Sequence, residues 1–208
     1  GYKNIGIVQE EDTEYMAANG AEPGDVKFAN LDGSEDGKIT ADDRTILGYK
    51  KENFRMSFGN TFRYKDFELY MLFTGIFGGN GYGQAVNYYA FRTSSDVQGD
   101  NNFNHGWWTP ENKSNKYPRI NYTDGRYTPL QGYGFVRLQD LSLSYTFRQP
   151  WVQKAGIGNL KVYMACKNLF TISGWEGGDP EVQQTLGSGY TYGYPLSRTV
   201  SFGLNLTF

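Results

Sequence analysis

The chain has 208 residues and a formal net charge of −2, and aromatic residues make up 17% of it, alongside 27 glycines. The near-neutral charge gives no basic surplus, which disfavours nucleic acid as a partner. A single cysteine, Cys166, excludes an internal disulfide framework. No run approaches the ~20 apolar residues of a transmembrane helix. Abundant aromatic residues and glycine favour strands and turns over helices.

Residues 1–52 are polar and rich in turn-forming residues, and they contain no pattern typical of a membrane strand. A short helix is predicted over residues 10–18, because its glutamate-rich start complements the positive end of a helix dipole. The segment as a whole is therefore predicted to be a loop region.

The acidic stretch within this region has the spacing of an EF-hand loop, with Gly37 at the sharp turn and Ile39 at the apolar position. Oxygen ligands at every second residue allow one tight loop to surround a hard cation. This pattern predicts a structural calcium ion, with the Lys38 ligand being its backbone carbonyl. The other interpretation is an Asp-Gly turn on a solvated loop. The candidate ligands are Asp32, Ser34, Asp36, Lys38, Thr40 and Asp43.

Five strands are predicted downstream, at residues 53–64, 67–77, 135–148, 159–171 and in a final segment that ends at Phe208. In each, apolar and polar residues alternate with a period of two, so that each class lies on its own face. The first two strands form a hairpin with arms of ~10 residues, the length of a tilted membrane strand. Residues 78–132 and 174–194 are predicted to be long loops.

The last strand shows the alternation most clearly. Its apolar face must be covered by something other than water. A second sheet would cover it in a soluble sandwich, and lipid would cover it in a transmembrane barrel. The apolar positions are Val200, Phe202, Leu204, Leu206 and Phe208.

Two features favour the barrel. Short and long connections alternate along the chain, as in outer-membrane barrels. The opposite face also carries charges, which a dry sandwich core would not accept unpaired. Five strands are fewer than the about eight that close a barrel, so a piece of a larger barrel is predicted. The charges are at Arg55, Arg63, Glu68, Asp140, Lys161 and Lys167.

Five stretches, in order along the chain, resemble motifs of the SusC/RagA-type TonB-dependent outer-membrane transporters. Ser197 replaces the usual second proline of the last one. The stretches are DGSEDGKI with DRT (32–45), WTPEN with KYPR (108–119), VRLQDL to YTF (136–147), NLFT with DPE (168–181) and YPLSRT (194–199).

This resemblance implies an all-β fold, in which the chain supplies the C-terminal five antiparallel strands of a transmembrane β-barrel of about 22 strands with long extracellular loops. It also implies a plug domain and a TonB contact in the remaining transporter, and a SusD-like surface lipoprotein as partner. The expected function is uptake of oligomeric nutrients, glycans or peptides, across a bacterial outer membrane. The alternative is a secreted, calcium-stabilised β module for carbohydrate binding or adhesion.

Aromatic residues of the two long loops are candidates for substrate binding, because aromatic faces in a wet cavity stack on sugars or peptide side chains. The other interpretation is that they pack the loops. The candidates are Trp107, Trp108, Tyr88, Tyr89 and Trp175. No catalytic pattern such as Gly-x-Ser-x-Gly occurs, and His105 is the only histidine, so an enzyme is not predicted.

The alternating connections also predict a topology. Residues 1–52, 78–132 and 174–194 are expected outside the cell, whereas residues 65–66 and 149–159 are expected in the periplasm. Residues 53–208 then form the membrane part, with its long loops.

Overall fold

The computed structural model describes residues 1–82, 106–120, 122–128, 130–175, 178–181 and 195–208. Two compact units are present. The hairpin unit contains Gly1–Tyr49 and Asn80–Gln131, and the sheet unit contains Lys50–Gly79 and Gly132–Phe208. This grouping differs from the linear division after residue 52 that the sequence predicts, because most of the first long connection groups with the first 49 residues.

The secondary-structure elements are β1 (Asn4–Ile7), α1 (Thr13–Asn19), β2 (Val26–Phe28), a 3-10 turn (Ala41–Asp43), β3 (Glu52–Tyr64), β4 (Phe67–Gly78), β5 (Asn80–Tyr82), β6 (Leu130–Gly132), β7 (Phe135–Phe147), α2 (Pro150–Lys154), β8 (Asn159–Ser173) and β9 (Thr199–Thr207). None of the helices in the described residues is long and apolar enough to span a membrane.

The sheet unit is one antiparallel sheet in the order β3-β4-β7-β8-β9, so that strands adjacent in the order of the chain are adjacent in space. The five predicted strands are confirmed, and none of the bounds predicted for the first four differs by more than two residues. Lys65, at the β3–β4 turn, has a positive φ of 52°. This left-handed conformation allows the short connection between the two strands.

The strand register keeps the two faces of the sheet chemically distinct. One apolar row crosses all five strands, through residues that lie opposite one another: Phe62, Leu69, Leu143, Met164 and Phe202. The adjacent row lies on the polar face and runs through Arg63, Glu68, Ser144, Tyr163 and Gly203. Gly203 leaves room there for the Tyr163 ring, which occupies the space that a Cβ would fill.

A β-bulge interrupts this alternation near the middle of β7. In the pairing with β4, Asp140 lies opposite Leu72 and Leu138 lies opposite Phe73, which leaves Gln139 as the extra residue. The pairing of β7 with β8 also shifts at this point, opposite Asn168, which has a positive φ of 51°. A bulge inserts an unpaired residue and shifts the faces beyond it by one position. Arg137 consequently lies opposite Thr74 and Thr171, on the polar face.

The hairpin unit has a core of its own. The strands β1 and β2 pair antiparallel, and Ile7, Val26 and Phe28 pack with Trp108. The helix α1 starts three residues later than predicted and ends at Asn19. It is followed by the C-cap residue Gly20, whose left-handed conformation allows its N–H to donate to Met16 O. The pair β5–β6 forms a second two-stranded sheet.

Candidate functional site

The polar face of the sheet unit carries a chain of ion pairs. Arg63 Nε lies 2.6 Å from Glu68 Oε2, and Lys161 Nζ lies 3.5 Å from Glu68 Oε1. These three side chains come from β3, β4 and β8. Nearer the other end of β3, Arg55 pairs with Glu52 at 2.7 Å. The predicted charges at these positions therefore lie on one face and have partners.

A buried arginine lies on the same face, at the end of β7 beyond the bulge. The Arg137 side chain is only 2% exposed. Its Nη2 donates to Asp179 Oδ1 and its Nη1 to Glu181 Oε2, each at 2.6 Å. Its Nε donates to Thr171 Oγ1 at 2.9 Å. We call Arg137, Thr171, Asp179 and Glu181 the arginine cluster; all three nitrogens of its guanidinium have an acceptor.

Asp179 joins the arginine cluster to both described ends of the connection between β8 and β9. Its Oδ1 also accepts from Glu181 N at 2.9 Å, and its Oδ2 accepts from Leu196 N at 3.2 Å. A second link comes from β8, where Asn168 Nδ2 donates to Ser197 O at 3.1 Å. Residues 178–181 and 195–198 are thus attached to the strands at several points.

Beside the arginine cluster lies a cavity of about 320 Å³. Its wall includes Asn168, Trp175, Pro195, Leu196 and Arg198, together with members of the cluster. The cavity therefore combines charged, amide and apolar groups. The predicted candidate Trp175 belongs to this wall but is largely buried, because it packs in a small core with Ile76, Tyr133 and Phe135.

The structure places the other aromatic candidates differently. Trp108 is 7% exposed in the core of the hairpin unit, and its Nε1 donates to Gln9 Oε1 at 2.9 Å. Trp107 is half-buried, and its carbonyl accepts from Asn112 Nδ2. Tyr88 and Tyr89 lie outside the described residues. Trp107 and Trp108 belong to the hairpin unit and Trp175 to the sheet unit, and the substrate-binding role of all the aromatic candidates stays a prediction.

The acidic loop forms a series of turns closed by side-chain hydrogen bonds. Asp32 Oδ1 accepts from Ser34 N at 2.7 Å, and Asp36 Oδ1 accepts from Ser34 Oγ at 2.9 Å and from Lys38 N at 3.0 Å. Asn19, the last residue of α1, holds the far side of the loop, since Ile39 N donates to its Oδ1 at 2.8 Å. Three of the predicted ligands thus lie close together in sequence and in space.

Asp43, the ligand predicted at the last position of the loop, is turned inward and buried. Its Oδ1 accepts from Leu31 N and Asp32 N, and its Oδ2 accepts from Thr40 N and Thr40 Oγ1. These donors, first the Thr40 N–H and then that of Leu31, lower the pKa of Asp43 below its ordinary value.

This use of Asp43 bears on the calcium prediction. Each of its carboxylate oxygens already accepts two hydrogen bonds, so a cation would have to displace one of them. Among the described residues, no group of three or more His, Cys, Asp or Glu side chains is arranged to hold a metal ion. Calcium binding by residues 32–43 stays a prediction.

Sequence reasoning did not find the arginine cluster. Its members occur in two of the stretches that resemble family motifs, VRLQDL and DPE, but they are about 40 residues apart in sequence. The charge at position 137 was also hidden by the bulge, since uninterrupted alternation from Leu141 would place Arg137 on the apolar face. The signal that could have indicated the arginine cluster is an arginine within a strand motif, VRLQDL, together with the two acidic residues of the DPE motif further along the chain.

Comparison with known proteins gives a consistent result. The chain is 30% identical over its whole length to TonB-dependent receptor P3 of Formosa agariphila, and covers 22% of that protein. It is 28% identical to TonB-dependent receptor P26 of the same organism, over 89% of this chain and 20% of that one. The predicted resemblance to TonB-dependent transporters is confirmed. No family model matches the chain.

Among solved structures, the RagAB peptide importer in its open-open state matches 100% of this chain and 22% of its own, with a TM-score of 0.69 and 22% identity. The fold is therefore that of a portion of such a transporter's barrel. The chain spans about a fifth of the length of the curated relatives it matches. These relatives are named as receptors and not as enzymes.

Proposed function

We propose that this chain forms five strands of the barrel wall of a TonB-dependent importer in a bacterial outer membrane. The observation that carries the proposal is the apolar face of the five-stranded sheet. Phe62, Phe202 and Leu204 are exposed there, and Phe202 is 78% exposed. Soluble monomers rarely expose an apolar patch larger than a few hundred Å². Lipid is the cover that fits a face whose opposite side carries ion pairs.

The edges of the sheet support the same proposal. In the described part of the chain, β3 and β9 each pair with one strand only. An open edge of this length invites further pairing, and a barrel removes such edges by closure. We infer that further strands of the same transporter pair with β3 and β9.

The proposed cargo is an oligomeric nutrient, a glycan or a peptide. A protein of matching fold is named a peptide importer, and the relatives are named as TonB-dependent receptors. In this proposal the remaining barrel and plug complete the transporter, TonB contacts a part outside this chain, and a SusD-like lipoprotein is the surface partner.

The test is a pair of arginine substitutions at neighbouring positions of β9, made in the full natural protein. Phe202→Arg places a charge on the proposed lipid face, at a cost of ~2–4 kcal/mol near the bilayer centre. Ser201→Arg places the same side chain on the polar face. We expect outer-membrane abundance and the heat-modifiable band on gels to fall strongly for Phe202→Arg only.

Two results would contradict the proposal. Equal damage by both substitutions would show that the two faces do not meet lipid and water. Recovery of the folded natural protein from cells without detergent would instead favour the secreted β module.

A further inference from the structure

Burial of the Arg137 charge is unfavourable in free energy unless its acidic partners remain bound to it. An isolated charge buried to this extent is strongly unfavourable, and it is tolerated only with opposite charges and hydrogen bonds. Arg137 is supplied by β7, whereas Asp179 and Glu181 are supplied by the β8–β9 connection. Burial of Arg137 therefore requires Asp179 and Glu181 to be in place, and the position of these two residues depends in turn on Arg137.

Asp179 makes this dependence cooperative. One carboxylate pairs with Arg137, accepts the Glu181 N–H, and accepts the Leu196 N–H from the segment that leads into β9. Loss of the ion pair would weaken both described ends of the connection at once. Glu181 contributes less, because its side chain is 46% exposed and an exposed ion pair is weak.

The pairing of β8 with β9 does not depend on the arginine cluster. The pairing of β8 with β9 extends from Asn159 to Lys167 and from Thr199 to Thr207, through backbone hydrogen bonds. We propose that the arginine cluster is a latch, which holds the two described ends of the β8–β9 connection, residues 178–181 and 195–198, on the polar face. Loss of the latch releases these two ends without unfolding the sheet.

The chain provides a local readout of release. Arg198 is the only lysine or arginine in residues 174–198, so trypsin cuts this connection at one bond. Leu196 and Ser197, next to that bond, are the residues held by Asp179 and Asn168. Cleavage after Lys154, at the exposed end of α2, is the internal reference, because this site lies in the sheet unit but outside the β8–β9 connection.

The experiment is limited trypsin digestion of the purified, folded full-length protein carrying Arg137→Met. We expect cleavage after Arg198 to accelerate about tenfold or more, because an unpaired Asp179 remains buried, while cleavage after Lys154 stays unchanged. Glu181→Gln should accelerate it only slightly. Arg148→Met, which removes an exposed ion pair with Asp66, is the matched control and should resemble the wild type.

The proposal would be overturned if trypsin cut after Arg198 at the same rate in Arg137→Met as in Arg148→Met. It would also be overturned if Arg137→Met accelerated cleavage after Lys154 as much as cleavage after Arg198. If Arg137→Met does not fold, Asp179→Asn provides the same test with little change of shape. Hydrogen exchange at the Leu196 amide should then accelerate while exchange of the β8–β9 amides does not. Unchanged exchange at Leu196 would equally overturn the latch.

Discussion

The hairpin unit and the sheet unit use the same kinds of apolar residue in opposite ways. In the hairpin unit Phe28 is 1% exposed and packs against Ile7, Val26 and Trp108. In the sheet unit Phe202 and its neighbours on the apolar face are exposed. One unit covers its apolar side chains with its own chain, whereas the other holds its strands by backbone pairing and presents its apolar face to its surroundings. Substitutions in the two units should therefore have different physical effects.

The largest difference is expected when the two phenylalanines are truncated. Phe28→Ala leaves a cavity in a packed core and should lower local stability by ~3–5 kcal/mol. Phe202→Ala should cost less, because its side chain is largely exposed in the described structure. Hydrogen exchange of β1–β2 amides in the first variant and of β8–β9 amides in the second measures the two effects in the full protein. Equal losses of protection would mean that Phe202 is packed in a core of its own.

A second difference is expected in acid. The pKa of Asp43 is lowered by donors from the Thr40 and Leu31 backbone, and that of Asp12 by the Gln9 N–H and then by Lys27. Because the folded-state pKa is below the ordinary value of 3.8, these groups stabilise the fold above that pH. This stability is lost as the pH falls further. Residues 1–49 should therefore lose protease resistance below about pH 4.

Asp43→Asn isolates the contribution of this carboxylate. The variant should be less resistant than the wild type at neutral pH and should show a smaller change on acidification. Asp42→Asn, at an exposed neighbouring position, is the matched control and should keep the acid transition of the wild type. Identical acid transitions in both variants would mean that Asp43 does not contribute to it.

A smaller effect on stability is expected for Trp108→Phe. This substitution distinguishes a packing role of Trp108 from a role in ligand binding. The phenylalanine keeps most of the apolar contact but loses the hydrogen bond to Gln9, a loss of ~1 kcal/mol. We expect slightly faster hydrogen exchange in β1 and unchanged nutrient uptake. Trp107→Phe, at a half-buried neighbour, is the comparison for uptake. A loss of uptake by Trp108→Phe with unchanged exchange would instead support a substrate-binding role.

The smallest effect is expected for calcium. A ligand that binds only the folded state stabilises it by mass action. Millimolar calcium should therefore increase the protease resistance of residues 1–49, and the double change Asp32→Ala with Asp36→Ala should remove this gain. Asp42→Ala, an acidic change outside the predicted ligands, should keep it. If chelator and calcium give equal resistance in the wild type, the loop is an acidic turn held by its side-chain hydrogen bonds and not by a cation.

The strands of the sheet unit, and the chemistry of most of its two faces, follow from the sequence alone. A period of two is a local property of an extended chain, so Phe62, Leu143 and Phe202 could be assigned to one face without any knowledge of their neighbours. The motifs also sufficed to identify the kind of protein, and the comparisons confirm that assignment.

The place where the alternation fails, and the side chains that contact one another, are set by the folded structure. The bulge beside Leu138 moves Arg137 to the polar face, and its partner Asp179 is distant in sequence. The spacing of Asp43 predicted a cation ligand, but backbone donors from the folded loop turn it inward. Trp108 likewise packs on strands about 80 to 100 residues away. The physical reason is that burial and hydrogen-bond partners depend on how the folded chain brings residues together, and residue spacing alone does not encode this. The partners are near in sequence for Asp43 and distant for Arg137 and Trp108.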